Sequence, residues 1–349
     1  MILIIIGLLL YYQFLYKTDF FSHIIHLARK LFFPKQYEIP NTNVYDYPLP
    51  PFPNAWYPIC MSKDIPPGTK KPITFANQEI IVFRGNSRKI QVIPKYCQHM
   101  GVDLTHGCVK ENTIECPMHG KQIKNGAEVT FHVEEHLGMI FIWNGEANST
   151  PNQCLKEQFE KFNMEKDDLV FPMSMGRWVG GHIIDYNEHL LDVHHAPYIH
   201  KASLHLGERG IQYDDIHLVV HLDVENTDYH PKFHYITPYF GFIEYVNNAR
   251  VYIYFFQEKV GKMKMVILPC WNAKNGILGF LLSIMFSVYT YIDFSDEAAY
   301  FSTKKHKRRN LKACEKIMND FRKQFTEKFF TQKQQNDFNN KQYNVNLDW

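Results

Sequence analysis

The chain has 349 residues, 45% of them hydrophobic and 21% charged, with a formal net charge of +2. This composition is globular and long enough for two domains with their own cores, and its near-neutral charge gives no basis for a nucleic-acid partner. Of the seven cysteines, Cys60, Cys108, Cys154, Cys270 and Cys314 follow no framework spacing, which excludes a disulfide-stapled scaffold and suits a reducing compartment.

Residues 1–16 are apolar except for Gln13, and Lys17 follows. The segment is short for a spanning helix, which needs about 20 residues. It also lacks the basic start and small-residue cleavage site of a signal peptide. We expect a membrane anchor over 1–17. Lys17, Arg29, Lys30 and Lys35 lie after it, so the body is expected on the cytosolic side, with the endoplasmic reticulum as the expected membrane. Residues 18–53 are expected to form an interfacial helix and a linker that stiffens at Pro48, Pro50, Pro51 and Pro53.

Over 54–145 the pattern is of short strands and turns, which predicts a small all-β domain. Residues 80–85 and 90–94 fit a hairpin through Gly85-Asn86, and 128–131 and 138–143 fit closing strands. From 155 to 330 it changes to α+β, with a central antiparallel sheet built on strands such as 218–224 and 251–256. The run 277–292 is apolar on all sides and suits a helix lining a substrate tunnel, with Tyr198, Phe240, Tyr239, Trp271 and Tyr291 as candidate pocket residues. Leu311, Cys314, Ile317, Met318, Phe321 and Phe325 share one helical stripe within 296–330. Residues 331–349 are rich in Gln and Asn and are expected to be a loosely ordered polar tail.

The chemistry lies in two clusters. The first is Cys97-x-His99 and, after sixteen intervening residues, Cys116-x-x-His119. A zinc finger pairs cysteine with cysteine and histidine with histidine. Here each loop offers one of each, the donor set of a [2Fe–2S] cluster with two thiolates on one iron and two imidazoles on the other. Such a cluster carries electrons singly.

The second cluster is Glu188-His189-Leu190-Leu191-Asp192-Val193-His194-His195-Ala196-Pro197-Tyr198-Ile199-His200. Positions five apart on a regular helix point about 140° apart, so His195 and His200 reach one metal only if the helix breaks, which Pro197 favours. Asp192 can orient a ligating imidazole through its carboxylate. Two histidines and one carboxylate make the facial triad of mononuclear Fe(II). Asp296 is the expected third ligand, with Asp293 and Glu297 as alternatives.

In this order the motifs resemble the Rieske-type non-haem iron oxygenases over about residues 50–305. The resemblance implies a [2Fe–2S] cluster on Cys97, His99, Cys116 and His119, and catalytic iron on His195, His200 and Asp296. It also implies that Asp192 bridges toward a Rieske histidine, usually of a neighbouring subunit in a homotrimer. Two positions depart: Lys121 stands where oxygenases of this type carry Trp, and His189 where the motif has Asn. The Pro-rich lead into Pro53-Asn54-Ala55-Trp56-Tyr57 and the apolar N-terminus also resemble the Neverland-type cholesterol 7-desaturases. That likeness implies O2, electrons from NAD(P)H through a reductase, and a sterol desaturated at C7(8). A sterol hydroxylase or side-chain dealkylating oxygenase is the alternative among enzymes, and an electron-transfer Rieske protein the alternative outside them.

Overall fold

The computed structural model describes residues 28–30, 32 and 49–341, apart from 128, 146–149, 163, 165–167, 171–173, 190, 201–203, 215–216, 225–229, 246–248, 273–275 and 305–315. The expected anchor over 1–17, most of the segment 18–53 and the last residues of the tail lie outside this set.

The N-terminal part is all-β. The strands Gln78–Arg84 and Ile90–Pro94 pair antiparallel in the expected hairpin, with Arg84 opposite Ile90 and Ile80 opposite Pro94. The closing strands are Val133–His136 and Met139–Asn144. The first therefore begins later than the expected 128–131, because Asn125 claims Phe131 through both its backbone N–H and carbonyl and holds that stretch as a loop. Ala55–Met61 adds to Met139–Asn144 and completes this sheet. A separate three-stranded sheet, Cys108–Lys110, Thr113–Glu115 and Gln122–Ile123, carries the second Cys/His loop.

The larger part is α+β. Its sheet has eight antiparallel strands, among them His217–Val224, Lys232–Thr237, Phe240–Glu244, Arg250–Lys259 and Lys262–Asn272 in neighbouring order. Along Arg250–Lys259 the adjacent Val251 and Tyr252, which point to opposite faces, are both fully buried, so both faces of the sheet are covered there. The two parts share one core: Tyr57 of the first stacks on Tyr239 of the second at 3.8 Å. The turn at Ala76 and Asn77 donates to Gln257 and Glu258 carbonyls.

The apolar run forms the helix Gly276–Asp293. One face, Gly279, Leu282, Ser283, Phe286, Ser287 and Thr290, is buried on the sheet, while Ile277 and Leu278 are 78% and 55% exposed. Among the described residues, Gly276–Thr303 is long and apolar enough to cross a membrane by length and composition.

The expected helical stripe over 296–330 is divided. The helix Ser295–Thr303 ends at Lys304, whose ψ of 133 is extended, and a second helix runs over Lys316–Phe329. Phe321 and Phe325 of the stripe are buried there as the spacing requires. The tail is not loose throughout. Gln332–Lys341 is a helix, and Gln334 exchanges two amide hydrogen bonds with Asn54, fastening the C-terminal end to the start of the β part.

Candidate metal centres

The two Cys/His loops repeat one turn. Gly101 N–H donates to the Cys97 carbonyl and Gly120 N–H to the Cys116 carbonyl, at 2.7 and 3.0 Å. Both glycines have left-handed φ values, 69° and 70°. Cys97 and Cys116 are each 2% exposed, whereas His99 and His119 are exposed, with ring centroids 5.0 Å apart. The loops thus bring together all four expected donors, thiols inside and imidazoles at the surface. The Met118 N–H, with a smaller contribution from His119 N–H, lowers the Cys116 thiol below its ordinary value against the opposing effect of burial. Amides directed at sulfur suit a thiolate ligand of an iron–sulfur cluster. An added Cβ at either glycine meets nothing within 4 Å, so the requirement is purely conformational. Gly101→Ala or Gly120→Ala should cost about 1–2 kcal/mol through the left-handed backbone and lower the cluster content read as visible absorption per chain.

The second centre is built by a broken helix. Ile183–His189 ends, a 3-10 turn covers Val193–His195, and a short helix covers Ala196–Ile199. The break lies near Pro197, just before it. Pro197 sits in the first turn of the new helix, where its missing N–H costs nothing. His195 and His200 converge as a result, Nε2 to Nε2 at 3.0 Å. Asp192 orients His195, but with its backbone carbonyl, which accepts from Nδ1. The carboxylate expected for this task is not the group that makes the contact.

Asp296 does not join the histidines. Its carboxylate faces Arg29 at 3.2 Å. Glu297 takes the place expected of it, with Oε1 lying 2.9 Å from His200 Nε2 and 3.7 Å from His189 Nε2. The cause is helical phase. Residues 293 and 297 are four apart and share a side, whereas 296 is turned away by about 100°. Asp293, the other alternative, lies behind the site, where Oδ2 is 2.6 Å from His200 Nδ1. Lys30, buried to 2% exposure, holds the other Asp293 oxygen at 2.8 Å. Arg322 grips Glu188 through two nitrogens and braces the helix end below.

One oxygen-and-nitrogen cluster emerges: single donor atoms of His189, His195, His200 and Glu297 all lie within 4.8 Å of one another. Glu297 Oε2 is buried without a hydrogen-bond partner among the described residues, and Oε1 faces the His200 and His189 nitrogens, an arrangement that a metal ion would satisfy. With bonds of about 2.1 Å, adjacent donors on one ion lie about 3.0 Å apart, and the 2.9 and 3.0 Å separations meet that spacing. The donors therefore fit a metal ion. Burial lowers the His195 imidazole to about 3, assisted by the neighbouring His189 and His200 rings, so it stays neutral and able to ligate. His200 is raised to about 10. Burial opposes this shift, and Asp293 and Glu297 outweigh it. Glu297 falls well below its ordinary range, with His200 overcoming the effect of burial.

An apolar cavity adjoins this cluster. Phe233, Tyr235, Phe240, Phe242, Phe255 and Phe294 line it together with Asn187, and its volume is about 40 Å³. Phe294 also packs on His189, with centroids 5.8 Å apart. Of the aromatic residues expected in a substrate pocket, Phe240 is there. Tyr239 is stacked on Tyr57, Tyr291 lies under Arg177, Tyr198 is 79% exposed, and the Trp271 side chain lies outside the described set.

Residues 55–136 match the family model of the Rieske [2Fe-2S] domain. Cholesterol 7-desaturase nvd of Xenopus laevis is 29% identical over 178 residues, covering 46% of this chain and 38% of that protein. Chlorophyllide a oxygenase of Arabidopsis thaliana is 28% identical over 178 residues, covering 46% of this chain and 32% of that protein. The chain thus spans well under half the length of these curated relatives. The crystal structure of dicamba monooxygenase bound to dicamba superposes with a TM-score of 0.54 at 13% identity, covering 78% of this chain and 96% of that one, which establishes the common fold. The chain carries a Rieske domain and resembles the Rieske-type non-haem iron oxygenases, cholesterol 7-desaturases among them.

Proposed function

We propose that the chain is a membrane-associated Rieske oxygenase that desaturates a sterol at C7(8), using O2 and electrons delivered from NAD(P)H by a reductase. The observation that carries the oxidative reading is the convergence of His195, His200 and Glu297 in a chain that also bears the Rieske loops. Iron held by these three residues would supply O2 activation strong enough to remove hydrogen from an unactivated carbon.

The chain's own residues set the conditions. The Asp192 carbonyl fixes His195 with Nε2 toward the site, and Asp293 does the same for His200 from the far side. Glu297 supplies the negative charge that imidazole ligands lack. The exposed His99 and His119, rimmed by Tyr96, Met100 and Met118 at 42%, 60% and 55% exposure, present a surface for an electron partner. We assign Asp192 the link from such a histidine, in a second copy of a homotrimer, to the His195 side. Asp192→Ala should leave both metal contents intact and abolish electron transfer between the centres in a single-turnover experiment. Full turnover in that variant would refute the assignment.

Support for a sterol is the likeness to cholesterol 7-desaturase and the aromatic cavity wall beside His189. Ligand pockets usually measure about 300–1,000 Å³, so a sterol enters only when the Phe233 to Phe294 wall parts. Purified chain, reductase, NAD(P)H and cholesterol in vesicles should give a product lacking two hydrogens. A product gaining oxygen indicates the hydroxylase alternative, and no NAD(P)H-dependent change in any sterol rejects the substrate.

For the membrane we infer two contacts, the apolar residues 1–17 and the exposed Ile277, Leu278 and Leu281. Deleting 1–17 should weaken vesicle flotation. Adding Ile277→Ser, Leu278→Ser and Leu281→Ser should cost about 3 kcal/mol more, roughly a hundred-fold in partitioning, at about 1 kcal/mol per half-inserted side chain.

A further inference from the structure

His189 stands where the resembled motif has an asparagine, and the fold gives it a ligand's position. It closes the helix Ile183–His189, is 8% exposed, and turns Nε2 toward Glu297 Oε1 at 3.7 Å. Its ring lies against that of His195 with centroids 3.9 Å apart and 32° between planes. The two imidazoles therefore enter the cluster side by side. Away from that edge the ring meets carbon: Phe294 at 5.8 Å and Phe301 at 5.2 Å, both edge-on. The His200 ring is 5.9 Å away. Three imidazoles, two of them buried, thus converge with one buried carboxylate on a single point, a donor set that one metal ion would satisfy.

We propose that His189 is itself a ligand of the mononuclear iron, so that this chain binds the metal through three imidazoles and one carboxylate. The proposal rests on the reading of the second centre as a metal site and deepens it. An amide at this position is a weak donor, whereas an imidazole is a strong one for iron. The 3.7 Å separation from Glu297 is wider than an adjacent pair of donors yet inside one ion's sphere. Four protein donors leave two of six coordination positions open to substrates where a facial triad leaves three. Helix packing also ties the new ligand to the cavity, because Phe294 touches the His189 ring and lines the apolar space. A bulky molecule that displaces Phe294 would act directly on a ligand.

The test counts nitrogens. Full-length protein is loaded with Fe(II), its [2Fe–2S] cluster is kept oxidised and therefore silent, and nitric oxide is added as a probe. Electron spin-echo modulation of the resulting signal should show three coordinated imidazoles in the unaltered chain and two in His189→Asn. That variant should also bind Co(II) at least ten-fold more weakly. The unaltered protein alone decides the matter if the variant does not fold. Two imidazoles in it would overturn the ligand and leave the metal site standing. No paramagnetic iron beyond the cluster would overturn both.

Discussion

Glu297→Gln should strip the mononuclear metal and leave the cluster. Iron would fall from about three to about two atoms per chain, with the visible absorption of the [2Fe–2S] centre unchanged. The amide preserves size and shape but removes the one negative charge that contacts His200 Nε2 at 2.9 Å. Three imidazoles alone would then face a dication in a site that is 1% exposed at Glu297. Turnover should drop by at least a thousand-fold, since oxygen chemistry has no seat without the ion. Asp296→Asn is the control. Its carboxylate faces the half-exposed Arg29 and not the histidines, and iron content should be retained. Loss of iron in Asp296→Asn with retention in Glu297→Gln would reverse the assignment.

That control matters because the sequence names the neighbourhood but not the atom. Both Cys/His loops were legible, since donor type and spacing are local and the glycines report the turn directly. The convergence of His195 and His200 was legible as well, through a helix broken near Pro197. Proline announces itself in a sequence, whereas the grip of Arg322 on Glu188 at the end of Ile183–His189 comes from a helix far along the chain and leaves no local signal. Asp293, Asp296 and Glu297 could not be separated by pattern. Their roles follow from the phase at which Gly276–Asp293 hands over to Ser295–Thr303, with Phe294 between them. Four-residue spacing to Asp293 was the available signal for Glu297, because a ligating carboxylate and the residue bracing a ligating imidazole share a face. His189 was noticed only as a departure from a motif; its place among the donors is a tertiary fact.

Lys30→Met is expected to weaken the iron site from a distance in sequence of more than 260 residues. Lys30 belongs to the stretch expected to lie along a membrane interface, yet its ammonium is fully enclosed, 2.8 Å from Asp293 Oδ1 and 2.9 Å from the Asp293 carbonyl. The same carboxylate lies 2.6 Å from His200 Nδ1. Removing the lysine leaves a buried anion with one partner fewer, a change that costs about 3–5 kcal/mol when such a pair is broken, visible in chemical denaturation of the metal-free chain. Loss of a group that orients a ligating imidazole lowers metal affinity by about 10–100-fold, to be measured by Co(II) titration. Lys30→Met combined with Asp293→Asn removes both charges together, so much of the stability should return while Co(II) affinity stays low. A single variant as stable and as tight-binding as the parent would show that Lys30 merely fills space. If both losses appear, the segment between the N-terminal apolar stretch and the β part is a structural component of the iron site, and whatever seats that segment against the body also sets how firmly His200 holds its metal.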